Sequence, residues 1–72
     1  MTLEEKMELL EDVLDMEQED IDPGMSLSEM DEWDSLSKLG LMAEVKTKMN
    51  QRLSVEEIQN FRTVQDILDY LQ

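Results

Sequence analysis

Signals for the start of a helix stand before three of the apolar-periodic runs in this sequence. A hydroxyl residue is followed three positions later by an acid at Thr2, at Ser54 and at Thr63. In this pattern the hydroxyl oxygen accepts a hydrogen bond from one of the free N–H groups of the first helical turn, and the acid can bond back. No segment alternates in the manner of a β-strand, so the pattern predicts an all-α fold.

Four helices are predicted from the apolar spacing. The first covers about residues 3–16, and the second runs from Ser35 to about Met49 with Asp34 or Ser35 as its cap. A short third helix begins after Ser54 and ends near Asn60, and the fourth follows Thr63. The residues expected to face inward are Leu3, Met7, Leu10 and Leu14 in the first helix and Val64, Ile67, Leu68 and Leu71 in the last. The apolar repeat of the second helix consists of Leu36, Leu39, Met42, Val45 and Met49. The predicted fold is a four-helix bundle with a long first loop and a short third helix.

The first loop, residues 17–34, is unusually long for a compact domain. Connections of this length are usually functional or are pinned by their own apolar residues. We expect Ile21, Leu27 and Met30 to pin it to the core. The sequence argues against an EF-hand calcium loop, since Met25 stands where that loop needs glycine and Asp31 stands where it needs glutamate.

Length and composition narrow the function. The chain has 72 residues, so we expect one domain over residues 1–72, and it contains neither cysteine nor histidine. The commonest general base and the thiolate nucleophile are therefore missing, and no glycine-rich phosphate loop is present, which argues against an enzyme. A net charge of −13 argues against nucleic acid and against an anionic membrane surface, and it favours basic protein partners.

The sequence also indicates where the protein is located and whether it forms an oligomer. No apolar run approaches the roughly 20 residues that a membrane span needs. The first residues are acidic and amphipathic, unlike a signal peptide. We therefore expect a cytoplasmic protein, and nothing in the sequence demands an oligomer, so we expect a monomer.

The charge is unevenly distributed. Residues 35–54 contain four basic residues and one acid, for a charge of +3, whereas residues 1–20 carry −8 and residues 21–34 carry −5. The predicted second helix is therefore a basic segment in an acidic protein.

Ser35 allows two interpretations. An Asp-Ser pair at the start of a helix is ordinary capping chemistry. Ser35 also follows a long loop and stands at a helix N-terminus, where free N–H groups and the helix dipole stabilise an anionic group such as a phosphodiester. A hydroxyl in this position is a candidate for covalent modification.

The tripeptide Asp34-Ser35-Leu36 lies between about 35 residues of acidic helix and loop and an apolar-periodic helix. It matches the D-S-L signature of the acyl carrier proteins and their peptidyl and aminoacyl carrier relatives, and the whole chain resembles this family. The segment TVQDILDYL, residues 63–71, is similar to the T-V-x-x-[IVL]-x-x-[YF]-[IL] ending of the family.

The resemblance implies a non-catalytic carrier. A phosphopantetheinyl transferase would move 4′-phosphopantetheine from coenzyme A to Ser35, with Asp34 and Leu36 recognised by the transferase. The thiol of the arm would hold an acyl or aminoacyl group as a thioester, supplied by a loading ligase and passed to downstream transferases or synthases. The helix after the serine is the docking surface in the family, so partner contacts are expected at Leu36, Lys38, Leu39, Ala43 and Lys46. For the three apolar residues among them, packing in the core is the alternative.

The sequence differs from the fatty-acid carriers in two features, and these differences indicate the kind of pathway. Their second helix is usually acidic, whereas this one carries Lys38, Lys46 and Lys48. Trp33 resembles the W-D-S-L of freestanding carriers tied to specialised pathways, and we expect its ring to anchor the loop. We therefore expect a freestanding carrier that serves specialised biosynthesis. The alternative is a small acidic adaptor that binds a basic partner surface and has no prosthetic group.

Overall fold

The fold is an all-α bundle, as the sequence predicts. A computed structural model describes residues 1–71. Its helices are α1 (Leu3–Leu14), α2 (Ser35–Met49), α3 (Val55–Asn60) and α4 (Val64–Tyr70). The third helix is short, as expected, and α4 is only one residue longer. None of the helices in residues 1–71 is long and apolar enough to cross a membrane.

The predicted caps set the helix starts. Thr2, Ser54 and Thr63 each accept a hydrogen bond from the third residue of the helix, whose acidic side chain bonds back to the cap's N–H group. The end of α1 differs from the prediction, because the helix stops at Leu14 and not near residue 16. Asp15 adopts a left-handed conformation with φ 55°, and the N–H groups of Asp15 and Met16 both bond to the Glu11 carbonyl, which closes the helix.

One apolar core joins all four helices and the first loop. Leu14 is buried on α1, and Ile58 is buried on α3. All four inward residues predicted for the end of the chain are buried, whereas Leu3 was predicted to face inward but is 65% exposed. The buried apolar residues are Leu9, Leu10, Leu14, Ile21, Leu27, Leu41, Val45, Leu53, Ile58, Val64, Ile67, Leu68 and Leu71.

The long first loop is tied down along its length. Ile21 and Leu27 are buried and Met30 packs against the core, as predicted. Short 3-10 turns at Gln18–Asp20 and Leu27–Glu29 satisfy part of its backbone. Three further backbone hydrogen bonds reach the start of α4: from Leu27 N to Arg62 O at 2.9 Å, from Val64 N to Met25 O at 3.1 Å and from Gln65 N to Pro23 O at 2.9 Å. These contacts fix the position of the loop that precedes α2.

The inward face of α2 includes only part of the apolar repeat. Leu41, Val45 and the small polar Ser37 are buried, whereas Leu36 is 78% exposed and Leu39 is 62% exposed. Positions 37, 41 and 45 repeat every four residues and share one helix face. Leu36 and Leu39 lie on the opposite face, so of the two alternatives left open for them the structure excludes core packing.

Candidate functional site

The cap of α2 is Asp34, not Ser35. Asp34 has extended backbone angles, φ −108° and ψ −175°, and its Oδ1 accepts a hydrogen bond from Ser37 N at 2.9 Å. This bond lowers the pKa of the Asp34 carboxyl below its ordinary value, because it favours the ionised form. The sequence allows either residue as the cap, and the geometry assigns the capping role to Asp34.

Ser35 is the first residue of α2, and it is exposed. Among the hydrogen bonds of residues 1–71, none involves its hydroxyl group. Its side chain therefore contributes neither to the cap nor to the core, and the hydroxyl oxygen is accessible to a protein that approaches the end of the helix.

The segment that leads to Ser35 is anchored by two of its neighbours. The buried hydroxyl of Ser37 donates a hydrogen bond to the Glu32 carbonyl, and Trp33 N donates to the Met30 carbonyl at 3.2 Å. The Trp33 ring is half-buried against the core, in the anchoring role expected for it. Sequence reasoning missed Ser37, whose only signal was a small polar residue at the four-residue spacing of Leu41 and Val45.

The two sides of α2 differ in charge. A groove between α1 and α2 is lined by five carboxylate residues, which are Asp12, Asp15, Glu32, Asp34 and Glu44. The groove on the other side contains Trp33, Phe61, Lys38, Arg62 and the hydroxyl residues Ser26 and Ser28. Lys38 is half-buried in that second groove, with its Nζ 5.9 Å from the centre of the Trp33 ring. An anionic group on Ser35 would meet repulsion on the first side and a cation on the second.

The predicted partner residues divide into two sets. Leu36, Leu39, Ala43 and Lys46 are exposed, and their spacing places them with Ser35 on the outward face of α2. Lys38 does not share that face, because its side chain turns toward Trp33. The structure therefore brings five of the predicted site residues together along the helix and leaves Lys38 at the edge.

The chemistry available at this site is that of an acceptor. Ser35 has no general base in hydrogen-bond contact, and residues 1–71 contain no cluster of three or more carboxylates suited to a metal ion. A helix N-terminus has free N–H groups that favour a negatively charged substituent. An exposed hydroxyl in this position can therefore accept a phosphodiester substituent.

Comparison with known proteins agrees with this chemistry. Residues 7–71 match the family described as "Phosphopantetheine attachment site". The acyl carrier protein of Syntrophus aciditrophicus (strain SB) is 34% identical over 73 residues, an alignment that covers 100% of this chain and 91% of that protein. The chain therefore belongs to the family of acyl carrier proteins, non-catalytic domains that bear 4′-phosphopantetheine and interact with biosynthetic enzymes.

Proposed function

We propose that Ser35 is the attachment residue and that the chain carries acyl or aminoacyl groups between enzymes of a specialised biosynthetic pathway. The observation that carries this proposal is the separation of roles at the start of α2. Asp34 completes the cap, while the adjacent Ser35 hydroxyl is exposed and has no hydrogen-bond partner within residues 1–71. Modification of Ser35 would therefore break no structural contact.

In the attachment reaction, the Ser35 hydroxyl loses its proton and its oxygen forms a bond to the phosphorus that carries pantetheine in coenzyme A. The bond from that phosphorus to the nucleotide half breaks, and 3′,5′-ADP leaves. The arm then supplies a terminal thiol, which holds the cargo as a thioester and which this cysteine-free chain cannot provide itself. Asp34 fixes the backbone before the serine, and the exposed Leu36 offers the transferase an apolar contact.

The proposed partners are a phosphopantetheinyl transferase, a loading ligase and downstream transferases or synthases. Leu36, Leu39 and Ala43 would supply the apolar contacts on the outward face, with Lys46 at its far end and Lys38 at its edge. Buried apolar contacts at an interface contribute most of its binding energy, while charges at the rim select the partner. The basic residues of α2 are unsuited to enzymes that select an acidic helix, which supports a specialised pathway.

We also propose that residues 1–72 act as a single carrier domain in the cytoplasm. Helices α1 to α4 share one core, and the relative from Syntrophus is covered over 91% of its length. These observations support one folding unit.

The test is the intact mass of the chain before and after incubation with coenzyme A and a broad-specificity phosphopantetheinyl transferase. We expect one added phosphopantetheine on the wild type and none on Ser35→Ala. Ser28→Ala is the matched control, since Ser28 is an exposed serine of the preceding loop, and it should gain the arm. A folded wild type without the arm that gains no mass, beside a carrier that does, would refute attachment at Ser35 and favour the adaptor alternative, which would tolerate Ser35→Ala.

A further inference from the structure

The outward face of α2 changes character along its length. It begins at Ser35 with Leu36, continues through Leu39 and Ala43, and reaches Lys46 three turns later. At 1.5 Å per residue, the Cα atoms of Ser35 and Lys46 are separated by about 16 Å along the axis. An enzyme that lies along this face therefore meets an apolar surface near the serine and a positive charge at the other end.

The cations at that end are not neutralised by the chain's own acids. The sequence holds 19 acidic and six basic residues, so most lysines could find a carboxylate. Yet within residues 1–71 the only ion pair closer than 4.0 Å joins Lys48 Nζ to Glu44 Oε2, at 3.8 Å. Lys46 and Arg52 are exposed and have no such partner in the described residues.

A shallow groove connects these two cations. Met42, Ala43 and the buried Leu53 supply its apolar lining, and Lys46, Thr47 and Arg52 supply its polar lining. Ala43 belongs both to this groove and to the outward face, so the two surfaces are continuous. The groove fits an apolar side chain that has a carboxylate beside it, because Met42 and Ala43 would contact the apolar side chain and the two cations would pair with the carboxylate.

We propose that the docking face, defined as Leu36, Leu39, Ala43, Lys46 and Arg52, binds a biosynthetic enzyme that presents apolar residues opposite the two leucines and carboxylates opposite Lys46 and Arg52. The proposal rests on the proposed carrier function and adds the chemistry of the partner. It is opposite to the expectation from net charge, since −13 would favour a basic partner. Short-range charges determine the contact, because ions screen the distant acids over about 10 Å at 0.1 M salt.

The charge order also fixes the direction of docking. Glu32 and Asp34 precede the serine, whereas Lys46 and Arg52 lie at the other end of the docking face. An enzyme with carboxylates at one end of its apolar surface can bind in one direction only, because the reversed orientation would bring its carboxylates to Glu32 and Asp34. This arrangement would hold the entrance of the enzyme's active site at the Ser35 end.

The test measures binding of the apo chain, so that it does not depend on the arm. The probe is a fatty-acid ketosynthase that binds carriers through lysines and arginines, together with its variant in which those residues are glutamates. Dissociation constants at 0.1 M salt should favour the glutamate variant by roughly three- to tenfold, as expected for a few exposed charge pairs.

Matched substitutions locate the effect. Lys46→Glu and Arg52→Glu should each weaken binding to the glutamate variant and strengthen binding to the parent enzyme. Lys48→Glu makes the same charge change two residues away, but Lys48 lies beside Glu44 and off the docking face, so it should leave the preference in place. Circular dichroism checks that each variant is folded.

Each outcome decides the proposal. Equal dissociation constants for the two enzymes, or tighter binding to the parent enzyme, would overturn it and show that the overall negative charge selects the partner. An equal effect of Lys46→Glu and Lys48→Glu would also overturn it. The mass measurement above reports on Ser35 independently, so loss of the carrier function and loss of the docking preference are separate results.

Discussion

Two serines in the first turn of α2 should respond in opposite ways to the same substitution. Ser37 is 8% exposed, and Ser37→Ala removes the hydroxyl that donates to the Glu32 carbonyl. Ser35→Ala removes an exposed hydroxyl with no hydrogen-bond partner in the described residues. We expect the first substitution to destabilise the fold and keep the attachment reaction, and the second to abolish attachment and leave stability unchanged.

The size of the effect follows from the hydrogen bond. A typical intramolecular hydrogen bond contributes about 0.5–1.5 kcal/mol to the free energy of unfolding. Glu32 is exposed, so water can reach its carbonyl in the variant, and we expect a loss of about 1 kcal/mol. In a domain of this size that loss lowers Tm by roughly 4–8 °C. Ser35→Ala should stay within about 0.5 kcal/mol of the wild type, the usual range for surface substitutions.

The assay is urea unfolding followed by circular dichroism, on apo forms of the wild type and both variants, with intact mass after the transferase reaction at a temperature where all are folded. If Ser35→Ala costs about 1 kcal/mol or more, Ser35 has a structural role and the separation of roles at the start of α2 is wrong. If Ser37→Ala is neutral, the bond to Glu32 does not anchor the segment that leads to the serine.

Three further predictions concern α2. Gly40→Ala should raise the free energy of unfolding, measured by urea denaturation, by up to about 1 kcal/mol, because alanine has the higher helix propensity and a Cβ atom there meets nothing within 4 Å. A loss of stability would show a hidden contact. Leu41→Ala should cost about 2–5 kcal/mol and Leu39→Ala less than about 0.5 kcal/mol, since Leu41 is 0% and Leu39 is 62% exposed; similar losses would contradict the assigned inward face. The hydrogen bond from Ser37 N–H lowers the pKa of Asp34. The ionised Asp34 carboxylate therefore stabilises the fold fully above the ordinary pKa of about 3.9, and this stabilisation is lost as the pH falls through the lowered pKa. The difference in Tm between the wild type and Asp34→Asn should therefore shrink between pH 6 and pH 2 on thermal melting, and a constant difference would refute the assignment.

Much of the fold could be predicted because its signals are local. The hydroxyl-x-x-acid pattern at Thr2, Ser54 and Thr63 depends on one turn of backbone, so it gave the helix starts correctly. The loop residues Ile21 and Leu27 were identified because large apolar side chains are most often buried. The end of α1 was missed because Asp15 has no apolar or glycine signal for its left-handed conformation.

The inward face of α2 could not be predicted because this helix has apolar residues on opposite faces. Leu36 and Leu39 fit a helical period as well as Leu41 and Val45 do, and a period fixes only which residues lie together, not which group turns inward. Packing against α1, α3 and α4 determines which face of α2 turns inward. Ser37 can be buried there because its hydroxyl donates a hydrogen bond to the Glu32 carbonyl. Leu36 and Leu39 do not contribute to the core, so they can form part of a binding surface. An exposed apolar pair beside an exposed serine is costly to leave in water, so its position next to Ser35 is an argument for a partner that covers it.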